Sequence, residues 1–319
     1  MQEQQADRIR GVLYGQAIGD ALGLGTEFLS RADVSRYYPH GLRDYQQIVH
    51  DGHRSRWVRG DWTDDTDQML CILDSLLALR AVVPTDIAWR LQAWAANGGM
   101  GIGRTVAEVL ASPVFVSDPH SAAREVWERG GRHSAANGAV MRTSVLGVWD
   151  LGSPERIRCN AETVCRITHC DPRCVASCVA VCLAIGALIG GRPVAEVLQT
   201  AAEAAETHHP GMGSWILEVA DQPLEDLELD EPSSMGFTFK VVAAGFWALR
   251  QAKSIADGIE AVVNQGGDAD SNAAVTGALL GARDGFSSIP SRWVTGLRYE
   301  QDLHSRVDRL LGILDETVP

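Results

Sequence analysis

Apolar positions in this chain recur with the period of a helix almost from end to end. Ile9, Val12, Leu13, Ala17 and Ile18 fall on or near one face of residues 7–22, the three-and-four spacing of an amphipathic helix. Met69, Leu70, Ile72, Leu73, Leu76 and Leu77 repeat that spacing and predict a second. A third opens at Pro84-Thr85, runs over 86–97 and closes at Gly98-Gly99. After an apolar cluster at Val106–Leu110, the pattern predicts helices over 122–129, 139–149, 154–168, 172–189, 194–206, 215–220, 239–252, 255–264, 270–283 and 301–314. Period-two alternation, the mark of strands, is almost absent. No fixed-period repeat or low-complexity linker divides the chain. These patterns predict one compact all-α domain over residues 1–319.

Two stretches depart from the pattern. Residues 31–61 show no sustained period and hold many polar and aromatic side chains, so a long irregular, functional connection is expected there. In the first helix, Gly11, Gly15 and Gly19 recur every fourth residue. Each glycine costs a helix about 1 kcal/mol relative to alanine, so three in register predict a groove for close approach of another helix. Asp20 to Gly23 ends this helix, and Glu27 follows in a loop.

Charge narrows the partners. The chain carries a net −13 with no basic block, which argues against nucleic acid as a general partner and against an anionic membrane surface. A phosphate-bearing ligand held locally remains open. The N-terminus is polar and lacks the apolar core of a signal peptide, and the apolar run 175–191 is short for a membrane span. A buried core helix and a soluble, cytoplasmic protein are expected. Six of the seven cysteines lie between Cys159 and Cys182, but no CxxC occurs. Cys174, Cys178 and Cys182 on one helix read as small buried packing residues rather than zinc ligands.

The chemistry concentrates in two acidic knots. Thr63, Asp64 and Asp65 stand just before the apolar period of the second helix, and Asp67 follows. One of the acids could cap that helix while the others decorate its first turn. Far downstream, Gly266-Gly267-Asp268-Ala269-Asp270-Ser271 again opens a helix with carboxylates and a hydroxyl. Two such helix mouths brought together would suit a hard divalent cation, which takes oxygen ligands. Trp57, Trp62 and Tyr38 offer possible aromatic platforms.

Taken together, GQAIGDALG with Glu27, GDWTDDTDQ (60–68), NGAVMR (137–142), Thr168-His169 and GGDADSNAAVTGALLGA (266–282) resemble, in order, the motif series of the ADP-ribosylglycohydrolase family. The resemblance covers nearly the whole chain and implies an all-α fold with a binuclear Mg²⁺ or Mn²⁺ site where helix N-termini converge. It assigns the two divalent cations to Thr63, Asp64, Asp65, Asp268, Asp270 and Ser271, with Asp270 bridging. Serine stands at 271 where the family commonly has threonine, which leaves that ligand less rigid. Glu27 matches a glutamate on a mobile loop and becomes the catalytic proton carrier, with Asp65 as second candidate. Asp20 is expected to support the ligands from behind. Gly101 and Gly103, in Gly101-Ile102-Gly103-Arg104-Thr105, resemble the loop that approaches the diphosphate. Ser134, Asn137 and Gly138 are expected at the diphosphate and distal ribose, with Arg142 either beside them or in a structural ion pair. His169 is expected to touch ribose or phosphate. The resemblance implies metal-dependent removal of ADP-ribose from a modified acceptor, with arginine-linked protein favoured. Serine- or ester-linked ADP-ribose, or a non-catalytic ADP-ribose-binding relative, are the alternatives.

Overall fold

In the computed structural model, which describes residues 1–316, α-helices and short 3₁₀ turns make up the regular structure and no strand forms among the described residues. The helices are α1 (Glu3–Gly23), α2 (Arg31–Tyr37), α3 (Asp64–Leu79), α4 (Pro84–Ala96), α5 (Arg104–Leu110), α6 (Pro119–Arg129) and α7 (Pro154–Cys165). They continue with α8 (Pro172–Ile189), α9 (Val194–Glu206), α10 (Met212–Asp221), α11 (Thr238–Gln251), α12 (Ile255–Val263), α13 (Ala269–Asp284), α14 (Ser291–Gly296) and α15 (Glu300–Glu316). The all-α expectation holds.

The centre of the molecule is the pair α1 and α13, and the glycine ladder is what brings them together. A Cβ added to Gly11, Gly15, Gly19 or Gly23 would lie 2.3, 2.1, 2.0 or 2.4 Å from the carbonyl oxygen of Gly281, Gly277, Ala273 or Ala269 respectively. The partner helix answers with its own glycines, since a Cβ on Gly277 or Gly281 would sit 1.9 Å from the oxygen of Gly15 or Gly11. Such close backbones leave almost no side-chain layer between the helices. Both are buried through most of their length. The C-terminal end of α1 is thereby fixed beside the N-terminal end of α13, where the second acidic knot lies.

Around this pair one continuous apolar core gathers most of the other helices. Helix α8 is long and apolar enough to cross a membrane by length and composition alone. Here it packs against α7, α9, α11 and α13, so burial inside the protein accounts for its apolarity. Asp171 caps it by accepting from the Arg173 amide at 3.0 Å, ahead of Pro172 at the first helical position. Cys174, Cys178 and Cys182 are fully buried and unbridged, as expected for packing residues.

Helix α14 was not among the predicted segments, and two further stretches depart from the sequence expectations. Residues 139–149 form two 3₁₀ turns, Val140–Arg142 and Ser144–Gly147, rather than a helix. Their carbonyls serve other elements: Gln16 Nε2 donates to the Met141 oxygen at 3.0 Å and Cys182 Sγ to the Thr143 oxygen at 3.2 Å. The segment is also pressed onto α8, so a Cβ on Gly147 would meet the Cys182 oxygen at 2.6 Å. The stretch 31–61, expected to be irregular, holds α2 and two single 3₁₀ turns, Tyr45–Gln47 and Arg54–Arg56. Helix α2 starts where Ser30 accepts from the Asp33 amide at 3.1 Å.

Candidate active site

The acidic wall of the site is assembled by long-range contacts between turns. Asp20, near the end of α1, accepts from the Thr63 amide at 2.9 Å, the Thr66 amide at 2.9 Å and the Thr66 hydroxyl at 2.6 Å. It therefore caps α3 from another helix and fixes where Thr63, Asp64 and Asp65 emerge. Gln16, one turn earlier, donates to the Asp65 carbonyl at 3.3 Å. On the other side, the Phe28 amide donates to the Gly267 oxygen at 2.6 Å, and the Gly267 amide returns to Leu29 at 2.9 Å. Gly266 and Gly267 have positive φ, and a Cβ on either would strike a carbonyl oxygen within 2.2 Å. Only glycine fits this turn, which sets Glu27 beside Asp268.

One cavity of about 310 Å³ is lined by Glu27, Asp64, Asp65, Gly101, Gly103, Ser134, Asn137, Gly138, His169, Asp268, Asp270 and Ser271. These residues lie far apart in sequence and were singled out from it. Thr63 stands just behind, its hydroxyl 3.4 Å from Asp65 Oδ2 and 3.3 Å from Asp270 Oδ2. Phe28, Arg104, Thr105, Val106, Ala136 and Met141 complete the lining. A second hollow of about 340 Å³ shares Arg104, Thr105, Ser134 and His169 with the first and runs on to Trp127 and His133.

The carboxylates are crowded, and all but the half-buried Asp268 are buried. One oxygen from each of Glu27, Asp268 and Asp270 lies within 4.8 Å of the other two. Asp65 Oδ1 and Asp270 Oδ1 are buried with no hydrogen-bond partner among the described residues. Burial first, then the neighbouring carboxylates, holds Asp64, Asp65 and Asp270 well above the usual carboxylate range. Burial also pushes Asp268 up to about 6, against the hydrogen bonds from Asp270 and Asn137. It pushes Asp20 up to about 7. A cluster this reluctant to ionise alone, offering hard oxygens and two orphaned ones, fits divalent cations of the Mg²⁺ or Mn²⁺ kind.

Glu27 is tethered rather than free. His53 Nε2 lies 2.6 Å from Glu27 Oε2, and the buried Arg54 donates to the carbonyls of Glu27 and, at 2.8 Å, Gly25. Neither His53 nor Arg54 was picked out from the sequence. The only signal was that an irregular stretch of 31 residues (31–61) in a compact domain tends to carry function.

The opposite wall carries no carboxylate among its lining residues, and Arg104 supplies its one charged side chain. Gly101 has φ of +91°, and a Cβ there would lie 2.3 Å from Asp64 Oδ1, so this loop can approach the acidic wall only as glycine. Gly103 caps α5. Ser134 shares a hydrogen bond with Thr105 at 3.0 Å. Asn137, expected at the diphosphate and distal ribose, lines the cavity and donates its side-chain amide to Asp268 Oδ2 at 2.8 Å. Gly138 lies flat against His169, where a Cβ would meet Cε1 at 3.1 Å. His169 is buried, its Nε2 has no partner, and burial together with Arg142 lowers its pKa to about 3, so it is neutral.

Three expectations change. Among the described residues Arg142 makes neither an ion pair nor a cavity contact: it is fully buried and donates to Gln68 Oε1 and Thr168 Oγ1, both at 2.5 Å. Asp67 is not a free surface charge, because the indoles of Trp62 and Trp94 donate to it at 2.8 and 2.9 Å. The aromatic platforms are committed elsewhere. Trp62 is held by Asp67, the Tyr38 hydroxyl donates to Gly25 at 2.7 Å, and Trp57 packs on His53 at 5.3 Å between ring centroids.

Perturbed, buried carboxylates gathered in one cleft mark a candidate functional site. The chain belongs to the ADP-ribosylglycohydrolase family, whose family model matches residues 1–317. It is 26% identical to the ADP-ribosylarginine hydrolase Tri1 of Serratia proteamaculans, over 99% of this chain and 82% of that one. It is 27% identical to the ADP-ribosyl-[dinitrogen reductase] glycohydrolase of Rhodospirillum rubrum, over 96% of each. Among solved structures, one titled ADP-ribosylglycohydrolase-related protein complex superposes with a TM-score of 0.76 at 26% identity, covering 97% of this chain and 98% of the other. The protein is accordingly an ADP-ribosylglycohydrolase.

Proposed function

We propose that this protein hydrolyses the N-glycosidic bond joining ADP-ribose to an arginine side chain of a modified protein. In this reading Thr63, Asp64, Asp65, Asp268, Asp270 and Ser271 hold two divalent cations, Mg²⁺ or Mn²⁺. When bound, those ions would supply the positive charge that grips the ribose hydroxyls and acidifies water. The observation that carries the reading is the pair of orphaned oxygens, Asp65 Oδ1 and Asp270 Oδ1, buried in the wall that Glu27 also lines. Names of relatives support arginine as the acceptor, since one is called an ADP-ribosylarginine hydrolase.

The chain's own residues have separable tasks. His53 occupies Glu27 Oε2, leaving Oε1 to exchange a proton. Glu27 takes a proton from the attacking water as its oxygen bonds to the anomeric carbon. The electrons of the breaking C–N bond go to the guanidine nitrogen, which receives that proton and departs. Asp65 is the second candidate for this exchange. Gly101, Gly103 and Ser134 border the path of the diphosphate, and His169 Nε2 offers it, or the ribose, a neutral donor. The second hollow, bordered by Trp127 and His133, takes the adenosine end.

Arginine-, serine- and ester-linked ADP-ribose conjugates, each incubated after EDTA treatment and again after adding Mg²⁺ or Mn²⁺, test the proposal. Metal-restored release from the arginine conjugate is expected. Release from only the oxygen-linked conjugates would transfer the assignment to those linkages, and full turnover in EDTA would remove the cations from the reading.

A further inference from the structure

We infer that Arg142 and Thr168 are positioning residues that fix which nitrogen of His169 carries the proton, so that Nε2–H is always presented to the cavity as a donor. The inference rests on the proposed ligand role of His169 and explains how that role is secured.

The polarity follows from what each group can do. A guanidinium can only donate, so Thr168 Oγ1 must accept from Arg142 Nη2 at 2.5 Å. The hydroxyl has one proton to give. Among the described residues, the neighbour left to receive it is His169 Nδ1, 2.8 Å away. Nδ1 is therefore an acceptor, and a neutral imidazole that accepts at Nδ1 bears its proton on Nε2. Nε2 is buried without a partner and its residue lines the cavity. The ring cannot easily turn away, because it lies against Gly138, while the His169 amide donates to Cys165 at 2.9 Å.

The other arm of the same guanidinium sets the acidic wall. Arg142 Nη1 donates to Gln68 Oε1 at 2.5 Å, which fixes the orientation of the side-chain amide. Gln68 Nε2 then donates to Asp64 Oδ2 at 2.7 Å. A single buried arginine thus polarises Thr168–His169 toward the ligand and Gln68 toward Asp64. Among the described residues this buried guanidinium has no carboxylate partner, and its Nε is left unpaired.

The test uses the full-length protein labelled with ¹⁵N in its histidine rings, with His169 assigned by its disappearance in His169→Asn. Wild type and Thr168→Ser are expected to show the Nε2–H tautomer and equal ADP-ribose affinity by calorimetry with Mg²⁺ present. Thr168→Val removes the hydroxyl, so a mixture of tautomers and ADP-ribose binding weakened about tenfold or more are expected. In a His169→Asn background the same valine should cost nothing further, which a general packing defect would not reproduce. An Nδ1–H tautomer in wild type, or a Thr168→Val protein that keeps both tautomer and affinity, would overturn the inference. Arg142→Met should shift the tautomer as valine does; if it does not fold, the threonine series still decides. The tautomer is read without turnover, so an absence of hydrolysis would count against the proposed function and leave this result standing.

Discussion

Glu27 is the residue on which chemistry and binding separate. Glu27→Gln keeps the shape of the side chain and an oxygen for His53 to hold, but the amide cannot exchange a proton. ADP-ribose affinity should survive nearly unchanged while single-turnover rates fall by roughly 10²–10⁴, the usual worth of acid–base catalysis. If glutamine hydrolyses at the wild-type rate, the role passes to Asp65. Ser271 asks a simpler question: its hydroxyl lies 3.8 Å from Met141 sulfur and also favours the ionised Asp65 carboxylate. If it is a ligand, Ser271→Thr should keep metal affinity or raise it slightly, and Ser271→Ala should lose it. Metal titration monitored by calorimetry reads the difference, and equal affinity in the alanine variant would dismiss the hydroxyl.

At the scale of elements, the α1–α13 contact makes an unusually sharp prediction. Alanine is a better helix former than glycine by about 1 kcal/mol, so Gly15→Ala would stabilise an exposed helix. Here its Cβ would lie 2.1 Å from a carbonyl oxygen on the partner helix, and the helices must move apart to admit it. Overpacking of this kind costs about 1–3 kcal/mol. A lower denaturant midpoint with an unchanged slope is expected. Because the same two helices aim Asp20 and Asp270, activity per folded molecule should fall as well. A Gly15→Ala protein as stable and active as wild type would show that the helices tolerate separation.

Across the whole molecule, the candidate cations would join α3 to α13, elements separated by some two hundred residues of chain. Ions that bind only the folded arrangement stabilise it by mass action, by about 2.7 kcal/mol at a hundredfold excess over Kd. Calorimetric melting should therefore rise with added Mn²⁺ or Mg²⁺ and return to baseline with EDTA. In Asp64→Ala or Asp270→Ala the rise should shrink or vanish, along with hydrolysis. A melting temperature indifferent to metal in wild type would contradict the cation site even if hydrolysis were observed.

Much of the architecture was legible because it is local. Helical periodicity, the Asp171-Pro172 start of α8, the glycine ladder of α1 and the two acidic knots all express rules that act within a few residues, and the structure bears each out. Where periodicity failed, at 139–149, the competing influence was tertiary: backbone groups were claimed by Gln16 and Cys182. Most candidate site residues could be named from sequence through the motif series, but their partners could not. Asp20 capping α3, His53 holding Glu27, Asn137 turned toward Asp268 and Arg142 bridging Gln68 to Thr168 all join residues far apart in the chain. No periodicity encodes such pairings. By itself the sequence determined most of the helical segments and which side chains are candidates for the chemistry. Only packing decided which of them meet and which way each hydrogen bond points, because those depend on how closely two helices can approach and on what a buried polar group finds when water is gone.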